Sequence, residues 1–160
     1  MTWDGDLTIP ALRESYANGA TTPSQVVEAV LRRVGEYAQK DPAVWIDIVS
    51  ASDALARAKE LEQAYEGEEK PRLFGVPFSV KNSIDVRAFK TTVACPSFAY
   101  TAQETAPVVQ RCLDEGAILI GTTNLEQFAT VRSTAAVFLF FLSLCAPALT
   151  FSATFEPNTA

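Results

Sequence analysis

Two almost continuous apolar runs, Leu73–Val80 and Ala117–Gly121, constrain this chain more than any other feature. Each reads as a buried strand, because a strand covered on both faces shows a near-unbroken apolar run rather than alternation. Between them Thr105 stands as a helix cap, Pro107 lies early in the turn that follows, and Val108, Val109, Cys112 and Leu113 recur on one face before Gly116. Strand, crossover helix and strand make a βαβ unit, which predicts parallel pairing in an α/β fold. Pro77 weakens the first run, since proline removes a ladder donor and prefers edges or bulges. Truncation after the second run would leave Ala117–Gly121 as an unpaired sheet edge, an aggregation liability that predicts self-association.

Upstream, the pattern is helical. Thr8 can cap a short helix with Pro10 in its first turn, ending near Gly19. Thr22-Pro23 opens a stronger helix whose apolar stripe is Val26, Val27, Val30, Leu31, Val34 and Tyr37, stopped by Asp41-Pro42. Trp45–Val49 reads as a short strand, and Ser52 as the cap of a helix presenting Leu55, Ala58, Leu61 and Tyr65 and closed by Gly67. These stripes are core-packing faces. Glu66–Arg72 is a charged surface loop.

Composition narrows the chemistry. There is no histidine among the 160 residues. That excludes Ser-His-Asp and Cys-His catalysis, a histidine-held metal and a proximal-histidine haem. Any base working near neutral pH must be a carboxylate, a lysine, a thiolate or the chain terminus. With 13 basic against 19 acidic residues and a net charge of −6, the chain lacks the basic footprint of a nucleic-acid binder. Cys95, Cys112 and Cys145 are widely spaced and contain no CxxC pair, which fits a reducing compartment rather than a disulfide framework or a zinc site. The polar, acidic Met1–Asp6 stretch is no signal peptide, so the N-terminus reads as cytoplasmic.

Lys81 follows the first apolar run directly. In open α/β sheets ligand chemistry gathers at the carboxyl ends of strands. A lysine stripped of water at such a place favours its neutral amine, which can serve as a general base. Most lysines after a strand are simply solvated. Other candidates have plainer readings. Asp85 and Glu126 suit solvated or capping roles, Cys95 before Pro96 a packing role, and Gly116 and Gly121 a helix cap and a strand-end turn.

Four segments taken together resemble the amidase signature family: Gly75–Val86, Thr91–Tyr100, Gly116–Ile118 and Gly121–Thr130. Within the family the chain looks most like the amidase part of allophanate hydrolase and urea amidolyase, a narrower match carried by Asp41–Ile46 and by Cys95-Pro96 to Tyr100. The similarity spans nearly all of residues 7–130. It implies the N-terminal part of the amidase-signature fold, with helices packed on an incomplete mixed, largely parallel sheet. It also implies a Ser–cis-Ser–Lys hydrolase of carbon–nitrogen bonds acting on a small, allophanate-like amide, with no cofactor and no metal. Lys81 matches the lysine that deprotonates the cis serine; that serine relays to the nucleophile, and backbone amides of a glycine-rich loop hold the oxyanion. A triad of this kind needs no histidine.

The departures from the pattern matter as much. The family's two serines lie in Gly- and Ser-rich segments after the match to Gln127–Thr130, whereas this chain has no glycine after Gly121. Ser133, Ser143 and Ser152 lack the required context. Asn82 stands where an aspartate is common, and Thr122 where the family usually has lysine. Residues 1–130 are accordingly expected to be a truncated amidase domain that keeps only the catalytic lysine, and 131–160 a non-family apolar tail such as a retained intron or a frameshift encodes. The alternative for the tail is a membrane anchor: Ala135–Phe155 is uncharged and long enough to span a bilayer, although Pro147 and several hydroxyl residues dilute it. In the truncated domain Lys81 is expected to point into water.

Overall fold

In the computed structural model, which describes residues 3–129, the chain opens with helix α1, Ile9–Ala17. Pro10 occupies the first turn, where its missing N–H leaves nothing unsatisfied. Thr8 precedes the helix without capping it through its side chain; its hydroxyl donates to Asp6 Oδ2 instead, at 3.1 Å. Helix α2, Pro23–Ala38, has a reciprocal cap. The Thr22 hydroxyl accepts from the Gln25 N–H at 3.4 Å, and Gln25 Oε1 accepts from the Thr22 N–H at 3.1 Å. Val26, Val27, Val30 and Val34 are buried along its inner face, each worth about 1.5–3 kcal/mol of transfer energy. Leu31 is half-buried and Tyr37 exposed, so the apolar stripe is narrower than its sequence spacing suggests.

Strand β1, Trp45–Ile48, leads into helix α3, Ala51–Ala64. Its cap is Ser50, whose hydroxyl accepts from the Asp53 N–H at 3.1 Å, and not Ser52, which instead bonds the Ser50 hydroxyl at 2.8 Å. Strand β2 is only Pro77–Lys81. Leu73–Val76 turns back before it, with the Val76 N–H donating to the Leu73 carbonyl at 2.9 Å. Pro77 thus falls on the first residue of the strand, a position where a missing donor is harmless. Strands β3, Lys90–Thr91, and β4, Tyr100–Thr101, pair antiparallel in a small separate sheet.

Helix α4, Pro107–Asp114, is capped by the Ala106 backbone alone. The expected cap, Thr105, has its hydroxyl engaged by the Arg87 N–H at 3.1 Å. Val109 is 1% exposed but Val108 is 60% exposed, because an eight-residue helix buries a narrow face. Gly116, at φ +85, ends the helix as expected, in a conformation that disfavours any Cβ.

Strand β5, Ile118–Thr123, completes the main sheet, whose order is β1-β5-β2. β2 and β5 are parallel neighbours with α4 between them in sequence, as the βαβ reading expects, while β1 pairs β5 antiparallel. The fold is α/β with a mixed sheet. The Ala117–Gly121 segment is not an edge: β5 is the centre strand, paired on both sides, because β1 returns to cover it. Gly121 is likewise no turn. It lies inside β5, and a Cβ there would collide with the Asp47 carbonyl oxygen and stand 3.0 Å from Ile48 Cα. Between β2 and β5 the register slips once, Phe78 facing Leu119 and Ser79 facing Gly121, which leaves Ile120 as the extra residue of a bulge.

Alternate residues of β5 serve two cores. Ile118 and Ile120 join Leu12, Val26, Val30, Ala58 and Phe74 beneath the helices; Leu119 packs with Phe78, Val80 and Val109 on the other face. Among the described residues no helix is long and apolar enough to cross a membrane. Ser133, Ser143, Ser152 and the Ala135–Phe155 stretch lie outside them.

Candidate active site

Lys81 is the last residue of β2 and faces Thr123, the last residue of β5. It is exposed, as expected, and among the described residues its ammonium has no hydrogen-bond or ion-pair partner. Its backbone is well held. The Ile84 N–H donates to the Lys81 carbonyl at 2.9 Å, and the next N–H, of Asn82, donates to the Thr123 carbonyl at 3.0 Å.

Asn82 points inward and is 1% exposed. Its side-chain amide donates to the Lys90 carbonyl at 2.7 Å and to the Thr122 hydroxyl at 3.1 Å. Its oxygen accepts from the Thr92 N–H and the Thr92 hydroxyl, both at 2.7 Å. Strand β3 and the residue that follows it are thereby tied to the strand ends beside Lys81.

Around this end of the sheet lies a polar and aromatic rim. Asp85 Oδ1 accepts from the Thr91 hydroxyl at 2.6 Å and from the Tyr100 hydroxyl at 2.8 Å, which is a structural use of the carboxylate. Donating that bond to Asp85 holds the Tyr100 phenol above its usual value. Phe98 meets Tyr100 and Phe128 edge-on, at centroid distances of 5.8 and 5.3 Å, and all three rings are exposed. Cys95 is not a packed thiol. It lies 3.2 Å from the Ser97 hydroxyl, and hydrogen bonds from Ser97 and then Gln127 hold it below its usual value. The Phe128 N–H donates to the Val93 carbonyl at 3.0 Å, closing the rim. Val93, Ala94, Phe128 and Ala129 all carry positive φ, an unusual run of non-glycine residues in the left-handed region.

The amidase family model matches residues 25–140. The chain belongs to the amidase family. It is 45% identical over 86 residues to the urea amidolyase of Saccharomyces cerevisiae, a match covering 54% of this chain and 5% of that protein. The crystal structure of the K. lactis urea amidolyase superposes with a TM-score of 0.61 at 33% identity, over 81% of this chain and 8% of that one. The native peptide amidase from Stenotrophomonas maltophilia shares the fold, with a TM-score of 0.69 at 24% identity, over 80% of this chain and 26% of that one. The chain therefore spans only 5–8% of the length of these urea amidolyases.

Lys81, the candidate read from the sequence, stands at the end of a strand. Sequence reasoning missed the roles of Thr92 and Lys90, which hold Asn82 from across the small sheet; nothing in their local context marks them. Tyr100 as the partner of Asp85 was missed for the same reason.

Proposed function

We propose that Lys81 is the general base of a Ser–cis-Ser–Lys site for hydrolysis of carbon–nitrogen bonds, with a small allophanate-like amide as substrate. We further propose that this 160-residue chain holds only that member of the triad and does not hydrolyse amides by itself. The observation that carries the reading is the placement of Lys81: the last residue of a strand paired parallel, at the end of the sheet where α/β folds gather their chemistry. The likeness to urea amidolyases supports the substrate class. Free Cys95 and Cys112 support a reducing, cytoplasmic setting.

In this reading the amine takes the proton of a serine hydroxyl, which passes the demand to a second serine that attacks the amide carbonyl. No glycine follows Gly121 within these 160 residues, so a glycine-rich oxyanion loop is not among them. A base alone supplies about 10²–10⁴-fold of acceleration, and loss of even one oxyanion donor removes about 10²–10³-fold. The test is ammonia release from allophanate by the purified chain. No release above the uncatalysed rate is expected. Release that disappears in Lys81→Ala would overturn the claim of inactivity while upholding the role of the lysine.

A further inference from the structure

Among the described residues the Lys81 ammonium has no polar partner, while its backbone is held on both sides. Asn82 is the residue best placed to fix the lysine's position. It commits both amide hydrogens, to the Lys90 carbonyl and the Thr122 hydroxyl, and its oxygen accepts twice from Thr92. Its own N–H reaches the Thr123 carbonyl at 3.0 Å, and its carbonyl accepts from the Val93 N–H at 3.2 Å. Every hydrogen-bonding group of the residue is thus engaged, on two separate pieces of chain, one peptide away from Lys81. Thr122, also 1% exposed, is the member of this set that belongs to the central strand.

The chemistry of that pocket is selective. The Lys90 carbonyl and the Thr92 N–H ask residue 82 for a donor and an acceptor on one planar group, which an amide provides. An aspartate alone would turn a carboxylate oxygen towards the Lys90 carbonyl and bury a charge that nothing neutralises. A lysine alone at 122 would bury an ammonium beside an amide. Put in together, the two charges satisfy one another at the place where Asn82 and Thr122 now meet.

We propose that Asn82 is the positioning residue of Lys81, and that residues 82 and 122 form one coupled unit in which the neutral Asn–Thr pair is exchangeable for an Asp–Lys pair and for neither charged residue alone. The coupling itself rests on hydrogen bonds; only its catalytic meaning rests on the reading of Lys81 as a base.

The experiment is a double-mutant cycle on the full 160-residue chain, read from urea unfolding. Thr122→Val is expected to lower the folding equilibrium constant about tenfold in the parent, and by less than about twofold when Asn82→Ala is already present. Amide order parameters provide the readout that a merely structural role would not move. The Lys81 and Thr92 amides are expected to fall from about 0.85 to below about 0.6 in Asn82→Ala, and to stay high in Thr21→Val, a control at another buried threonine. In the exchange arm, Asn82→Asp and Thr122→Lys each lower the constant at least about thirtyfold, and the double variant returns to within about fivefold of the parent. Additive effects of Asn82→Ala and Thr122→Val would overturn the coupling even if no charged variant folds. Unchanged Lys81 order parameters would overturn the positioning role. Either result would leave the proposed chemistry of Lys81 standing, and amide hydrolysis that survives Lys81→Ala would leave the coupling standing.

Discussion

The Tyr16 hydroxyl donates to the Gly75 carbonyl at 2.9 Å, fastening the first helix to the turn that delivers the chain into β2. The ring is 7% exposed and meets Phe74 edge-on at 5.6 Å. Burial, and then the nearby Glu62 carboxylate, push the phenol above its ordinary value of 10.0. The sign of the consequence follows from linkage. The folded state holds this proton more tightly than the unfolded state, so the stabilisation is complete below about pH 10 and declines as the pH rises beyond it, where only the unfolded chain ionises readily. Tyr16→Phe is expected to cost about 1 kcal/mol at neutral pH, by leaving the Gly75 carbonyl without this donor, and to flatten the alkaline decline. Urea unfolding between pH 7 and pH 11 checks both parts; an equally steep decline in the variant would sink the assignment.

Gly121→Ala is expected to destabilise the fold by about 1–3 kcal/mol, within the range for overpacked cores. The obstacle is backbone, the Asp47 carbonyl and Ile48 Cα, which cannot rotate away as a side chain can. Gly35→Ala is the contrasting control: nothing stands within 4 Å of its would-be Cβ, and alanine favours the helix it occupies by about 1 kcal/mol. Thermal melts of the two variants should move in opposite directions.

Ala94→Gly is expected to stabilise the chain by about 0.5–1 kcal/mol. Ala94 sits at φ +55, where a Cβ is unfavourable and glycine is at ease. A lower unfolding midpoint for the variant would show that the left-handed conformation at this position carries no penalty.

Lys81→Met is expected to change stability by no more than about 0.5 kcal/mol, as at other exposed positions. A large gain in the unfolding midpoint would mean that the ammonium is buried in solution without a partner.

Much of the fold is legible because it is written locally. The valine spacing of α2, the Thr22-Pro23 start and the strand–helix–strand order of residues 77–123 all survive in the structure. What misleads is anything decided across the chain. Ser50 and Ser52 are equally good caps by type, and the exit from β1 selects Ser50. Val108 and Val109 are equally apolar, and the sheet takes only one of them. Gly121 looks like punctuation until β1 is seen pairing beside it. At the candidate site the lysine is legible from its place after an apolar run and from the family pattern. The pocket that holds Asn82 is not, because its partners come from residues 90, 92 and 122.

The bulge in β5 has an evolutionary consequence. Because Ile120 is extra, Lys81 is level with Thr123; were Ile120 paired as an ordinary rung, Lys81 would be level with Thr122. The bulge thus holds one residue of slack in a strand whose side-chain sidedness is otherwise fixed. Loss of the Ile120 codon would leave Gly121, Thr122 and Thr123 facing Ser79, Val80 and Lys81, with Thr122 still beside Asn82. A shortening that would scramble a regular strand can be absorbed here.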